Sequence, residues 1–143
     1  MVGPFFSKED EGQIVEAIRT AERLTTGEIQ VHLRKKCSRD PKIEAQRLFK
    51  KLRLDRTKEK NAVLLFIALE SHQLVIVGDS GIHQRVRPYF WDQTRDLMLG
   101  FFKKNEIKKG LLAGIWSVGE QLQLYFPAKL GDTNQLPDTV TED

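Results

Sequence analysis

The sequence predicts an α/β protein, a three-layer α/β/α sandwich on a small mixed sheet with about four helices. Three observations lead there. The run Ala62 to Leu69, AVLLFIAL, is apolar throughout, which marks a strand covered on both faces. Segments with helical apolar spacing lie on either side of it. The element order αβαββαα makes the first two strands a parallel crossover pair, while the third strand returns antiparallel to the second.

Each element has its own signal. Ser7 is a suitable N-cap, and Glu9 and Asp10 follow where the helix dipole favours acids. Ile14, Val15, Ile18 and Ala21 form a stripe, so the first helix runs from about Lys8 to Leu24. Thr25-Thr26-Gly27 ends it, and Glu28 to Leu33 alternates polar and apolar as a half-buried strand does. Pro41 opens the second helix, which buries Ala45, Leu48, Phe49 and Leu52. After the polar loop 55–60 comes a hairpin, Ala62 to Leu69 and His72 to Val77, turning at Glu70-Ser71. Pro88 marks the start of a third helix carrying Phe90, Trp91, Leu97, Met98, Phe101 and Phe102, which reads as core rather than a ligand box. The stripe Leu111, Ile115, Val118, Leu122, Tyr125 gives the fourth, stopped by Pro127. Residues 1–127 therefore form one α/β domain. Residues 128–143, acidic and punctuated by Gly and Pro, are expected to be a flexible tail.

With 143 residues, 40% hydrophobic and 30% charged, the chain fits an ordinary globular domain. No apolar run approaches the roughly 20 residues of a membrane span, so no membrane insertion is expected. The N-terminus lacks the pattern of an export signal, which points to the cytoplasm. A lone Cys37 excludes a disulfide framework within the chain. Residues 34–60 hold twelve Lys or Arg against four Asp or Glu, a basic belt in a chain of net charge +3. Such a belt can follow a polyanion, but it lacks interleaved exposed aromatics for stacking on bases, so nucleic acid is the minority reading.

The chemistry concentrates at one place. The first two strands begin at the same sheet edge, with Glu28 and Asn61, and the third ends there in Gly78-Asp79-Ser80-Gly81. Glu28, Asn61, Asp79 and Ser80 thus converge as oxygen ligands of the kind that suits a hard cation, above all Ca²⁺. The same residues also suit a plain turn, in which Asp and Ser cap backbone N–H groups. His83, just beyond, is a weak candidate acid/base partner for Asp79, and a solvated loop histidine is the simpler reading. No P-loop, dinucleotide fingerprint or nucleophile elbow is present.

The succession GEIQVHL, a lysine-rich helix, KNAVLLFIALESHQLVIVGDSGI, PYFWD, GLLAGI and LYFP resembles the TPM domain, from about Phe6 to Pro127. The segment DTNQLPD is similar to the ending of a compact bacterial branch of that family. The resemblance implies an α/β/α sandwich and a divalent-cation site, Ca²⁺ by preference, at Asn61 and the GDSG loop, chiefly Asp79. It also brings an acid-phosphatase activity described for a plant thylakoid-lumen member. Many members have Asp-Asn-Gly where this chain has Lys60-Asn61-Ala62, so an ammonium replaces a carboxylate at the site. The resulting expectation is a non-catalytic protein that binds a cation weakly and acts through a protein partner. The alternatives are a metal-dependent phosphomonoesterase, with Asp79 as ligand and His83 as acid, and polyanion binding by the belt 34–60.

Overall fold

The computed structural model describes residues 5–128 and 140–143. The chain runs α1 (Lys8–Arg23), β1 (Glu28–Arg34), α2 (Pro41–Lys51), a 3₁₀ turn (Leu54–Arg56), β2 (Ala62–Ala68), β3 (Gln73–Gly78), α3 (Ser80–His83), α4 (Phe90–Lys103), α5 (Ile107–Tyr125) and β4 (Val140–Glu142). The Ser7 hydroxyl accepts from the Asp10 N–H at 3.1 Å, and the Asp40 carboxylate accepts from the Lys42 N–H at 2.9 Å ahead of Pro41. Both caps remove orphan donors from a helix start.

The strands stand in the order β3-β2-β1-β4. β1 and β2 are parallel with Glu28 opposite Ala62, and β2 and β3 are antiparallel with Val63 opposite Gly78. Every residue of β2 is buried. Its alternation divides the core in two, because successive strand side chains leave on opposite faces. Val63, Leu65 and Ile67 join Ile29, Val31 and Leu33 against α1, α4 and α5. Ala62, Leu64 and Phe66 meet Ala45, Leu48 and Phe49 of α2 on the other face. Helices therefore cover both faces of a mixed sheet, which is the three-layer sandwich expected.

Three elements go beyond the sequence reading. The GDSG segment, read as a loop, opens one helical turn, α3, capped by Asp79. Leu54–Arg56 form a short 3₁₀ turn that overlaps the start of the segment 55–60 read as a polar loop. The end of the expected flexible tail is a strand: β4 lies parallel to β1, with Val31 opposite Val140 and Leu33 opposite Glu142. Three residues are too few to show a strand period, so composition alone marked them as tail. The rest of that tail, residues 129–139 with the DTNQLPD segment, lies outside the described residues.

Candidate functional site at the Asp79 edge of the sheet

Strand direction does gather the predicted residues at one edge. The Glu28 N–H donates to the Asn61 carbonyl at 3.5 Å, and the Asp79 N–H to the Ala62 carbonyl at 3.0 Å. The sheet then separates their side chains. Glu28, Ala62 and Asp79 stand in one row across three strands, on the face turned to α2. With strands about 4.8 Å apart, the backbones of Glu28 and Asp79 are about 10 Å from each other. Asn61, one residue before Ala62, points to the opposite face, where Thr26 and Glu59 receive it. A shift of one residue reverses the face of a strand side chain. The edge collects the four residues, but it does not place them in one tight shell.

Asn61 is fully buried and almost fully bonded. Its N–H donates to the Thr57 hydroxyl at 3.1 Å, and Nδ2 donates to the Thr26 hydroxyl at 3.0 Å and Glu59 Oε2 at 3.5 Å. Its Oδ1 is buried with no hydrogen-bond partner among the described residues. Asp79 shows the same division. Oδ1 accepts from the Ser80 N–H at 2.7 Å, capping α3, while Oδ2 is buried without a partner among the described residues. Glu28 is buried at the start of β1, and Ser80 is exposed in the first position of α3.

The glycines of the loop are explained by packing. A Cβ on Gly78 would strike the Trp91 ring, and one on Gly81 would strike the backbone carbonyls of Glu59 and Lys60. Gly81 lets α3 lie directly on the 59–61 segment, where the Ile82 N–H donates to the Lys60 carbonyl at 3.2 Å. Lys60 itself has a left-handed backbone, φ 53°, and its ammonium donates to the Asp55 carbonyl. Asp79 opens into a recess of about 400 Å³ between β3 and α2, whose walls include Gln46, Arg47, Lys50 and Asp55.

His83 is not paired with the Asp79 carboxylate. Its Nδ1 accepts from the Trp91 indole N–H at 3.0 Å and its ring stacks on Trp91, while its backbone N–H donates to the Asp79 carbonyl at 2.9 Å. Cys37 donates to the Arg39 carbonyl at 3.2 Å and has no base beside it in the described hydrogen bonds. Among the described residues, no three His, Cys, Asp or Glu side chains cluster so as to hold a metal ion. A cation at Asp79 would therefore depend on one carboxylate supplemented by carbonyls and water.

One polar cluster has no clear sequence signal. His32, nearly buried in β1, bonds the Thr141 hydroxyl through Nδ1 at 2.6 Å and the Asp143 carboxylate through Nε2 at 2.7 Å. Arg34 grips both oxygens of Asp143, at 2.9 and 3.0 Å, and reaches Glu44 at 3.2 Å. Burial lowers the His32 pKa below its ordinary 6.5 against the opposing pull of Asp143, which favours the neutral ring donating from Nε2. The hydrogen bond from Arg34 holds the Asp143 carboxyl down to about 2. Although hydroxyl, imidazole and carboxylate stand in a row, the Thr141 hydroxyl also reaches the Val31 carbonyl at 3.3 Å. The cluster is a clasp on β4. Residues more than a hundred positions apart make it, so no local motif announces it.

Helices on both faces of a mixed sheet, four-stranded among the described residues, with an acid-capped turn at the end of the hairpin, define a small α/β/α domain. The model of the TPM domain matches residues 4–121, and the chain belongs to the TPM domain family. Its fold is similar to the NMR structure of the BA42 protein from the psychrophilic bacterium Bizionia argentinensis, with TM-score 0.92 and 41% identity, covering 100% of this chain and 99% of that one. It is also similar in fold to the N-terminal domain of the cg2496 protein from Corynebacterium glutamicum, with TM-score 0.67 and 16% identity over 99% of this chain and 84% of that one. No curated protein matches the chain. Among the described residues, no helix is long and apolar enough to cross a membrane.

Proposed function

We propose that this TPM-domain protein is a non-catalytic binding module that takes a divalent cation, Ca²⁺ by preference, weakly at Asp79 and acts through a protein partner. The observation that carries the reading is Asp79 Oδ2, a buried carboxylate oxygen with no hydrogen-bond partner among the described residues. A buried polar atom left unpaired costs about 1–3 kcal/mol, a cost that a bound cation removes. Asn61 Oδ1, also orphaned, lies at the same edge but on the other face. It is a second oxygen that a rearrangement of the 59–61 segment can bring to the ion. Lys60 opposes the charge of a cation and makes binding weak.

Titration of Ca²⁺ while following backbone amide shifts tests the reading. Saturable shifts at Gly78 to Gly81 are expected, and Asp79→Ala should abolish them. No saturable change at those amides at millimolar Ca²⁺ would sink the cation claim. Phosphoryl transfer gains no specific support from the geometry, since the imidazole nearest Asp79 is engaged by Trp91.

A further inference from the structure

Among the described residues, β3 is an edge strand with its outer side open. The bond from the Asp79 N–H to the Ala62 carbonyl fixes the phase of the antiparallel ladder. Bonded and non-bonded pairs alternate along such a ladder, so Val77, Val75 and Gln73 direct their backbone groups at β2. Leu74, Ile76 and Gly78 direct theirs outward. No partner for these outward groups occurs among the described residues.

Natural edge strands are commonly guarded by an inward charge, a proline or a bulge. Gln73-Leu74-Val75-Ile76-Val77-Gly78 has no charge and no proline, and it pairs with β2 without a bulge. The edge also lies at the bottom of a slot rather than on a convex surface. A groove of about 300 Å³ wraps around it, with Lys42 and Gln46 of α2 on one side and His83 and Trp91 on the other. It meets the Asp79 recess along Gln46, Val77 and Gly78, and the walls of the two together carry Lys42, Arg47 and Lys50 against Asp55 and Asp79.

We infer that this slot is a strand-docking site for an extended, acid-rich segment of a partner protein, which adds to the sheet as a fifth strand beside β3. Main-chain bonds to Leu74, Ile76 and Gly78 supply the attachment, and Lys42, Arg47 and Lys50 select acidic side chains. A second copy of this chain is the poorer occupant, because joining two β3 edges brings two basic belts of residues 34–60 together. The opposite edge of the sheet already shows this mode in cis. There β4, followed by Asp143, adds to β1 and is held by Arg34. The inference deepens the partner half of the proposed function and is independent of the cation half, since Asp79 bonds inward.

The test uses the full chain with blocked peptides EVTVEVE and KVTVKVK. Binding of EVTVEVE should shift the amides of Leu74, Ile76 and Gly78 and slow their solvent exchange. It should weaken with added salt. Lys42→Glu combined with Lys50→Glu, both on the exposed face of α2, should weaken it about tenfold. Asp79→Ala should lose any Ca²⁺ response and keep peptide binding, so the two readings can fail separately. The inference is overturned by equal binding of KVTVKVK, by binding that leaves the three amides unprotected, or by no saturable binding. Protection of those amides that rises with protein concentration, without peptide, overturns it in favour of a second copy.

Discussion

Lys60 occupies a backbone position that a lysine does not favour. Its φ of 53° lies in the left-handed region, which costs a side-chain-bearing residue roughly 1–2 kcal/mol. Lys60→Gly removes that cost and gives back about 0.5–1 kcal/mol to the entropy of the unfolded chain, for a net gain of up to about 1.5 kcal/mol. A denaturant midpoint shifted upward at constant m-value is the expected result. Lys60→Asp, which restores a carboxylate beside Asn61, should tighten Ca²⁺ binding by about tenfold through the reversed charge alone. Unchanged affinity would place the ion away from the 59–61 segment. Gly81 shows the opposite constraint. Its Cα faces the Glu59 and Lys60 carbonyls so closely that Gly81→Ala must push α3 off the sheet edge. A loss of about 2 kcal/mol or more in stability is expected, with shifts spreading to Ile82. The sequence showed the glycines but not their neighbours. The pair around Asp79 looks like ligand-loop chemistry until Trp91 and the Lys60 carbonyl are seen against it.

Among the elements, β4 depends most on single side chains. It is three residues long, and beyond its ladder to β1 the clasp of His32 and Arg34 on Asp143 holds it. Because burial keeps the His32 pKa below 6.5, the unfolded chain binds a proton that the folded ring refuses. Stability should therefore begin to fall as pH drops below about 6.5. Asp143 has its folded pKa depressed to about 2 from 3.8, so its contribution is complete above 3.8 and disappears as pH falls from there towards 2. Glu142 acts in the opposite sense, since burial raises its pKa above 4.5 and acid relieves it. Asp143→Asn should remove the lower window and extend the His32 slope to lower pH, because the carboxylate no longer holds the His32 pKa up. Hydrogen exchange at Thr141 and Glu142 should accelerate in that variant, and amides of β2 should stay protected. Helices and the central hairpin were legible because period and caps are local. The fourth strand was not, because its reason to pair is Arg34 and His32, which lie far back in the chain.

In the whole molecule, one sheet serves two cores. Phe66 anchors the α2 face, where it stacks with His32 and carries the Arg34 guanidinium 5.1 Å above its ring. Phe102 is fully buried in the larger core on the other face. Since β2 contributes alternate residues to both, neither core can open without the other. Phe66→Ala and Phe102→Ala should each cost about 3–5 kcal/mol. Each should keep a single transition in thermal unfolding, with fluorescence and circular dichroism coincident. Two separated transitions in either variant would show that the layers melt independently.

The sequence by itself determined the sandwich. An apolar strand demands cover on both faces, amphipathic helices supply it, and the order of elements makes β1 and β2 parallel and β2 and β3 antiparallel. It also named the edge at which Glu28, Asn61, Asp79 and Ser80 gather. Only the tertiary structure decided how those residues face. Strand parity sends Asn61 to one side of the sheet and Glu28 and Asp79 to the other, and Trp91 claims His83. Periodicity fixes which face of its own element a residue takes. Which side chains meet, and which oxygens are left without a partner, depends on neighbours that no local pattern encodes.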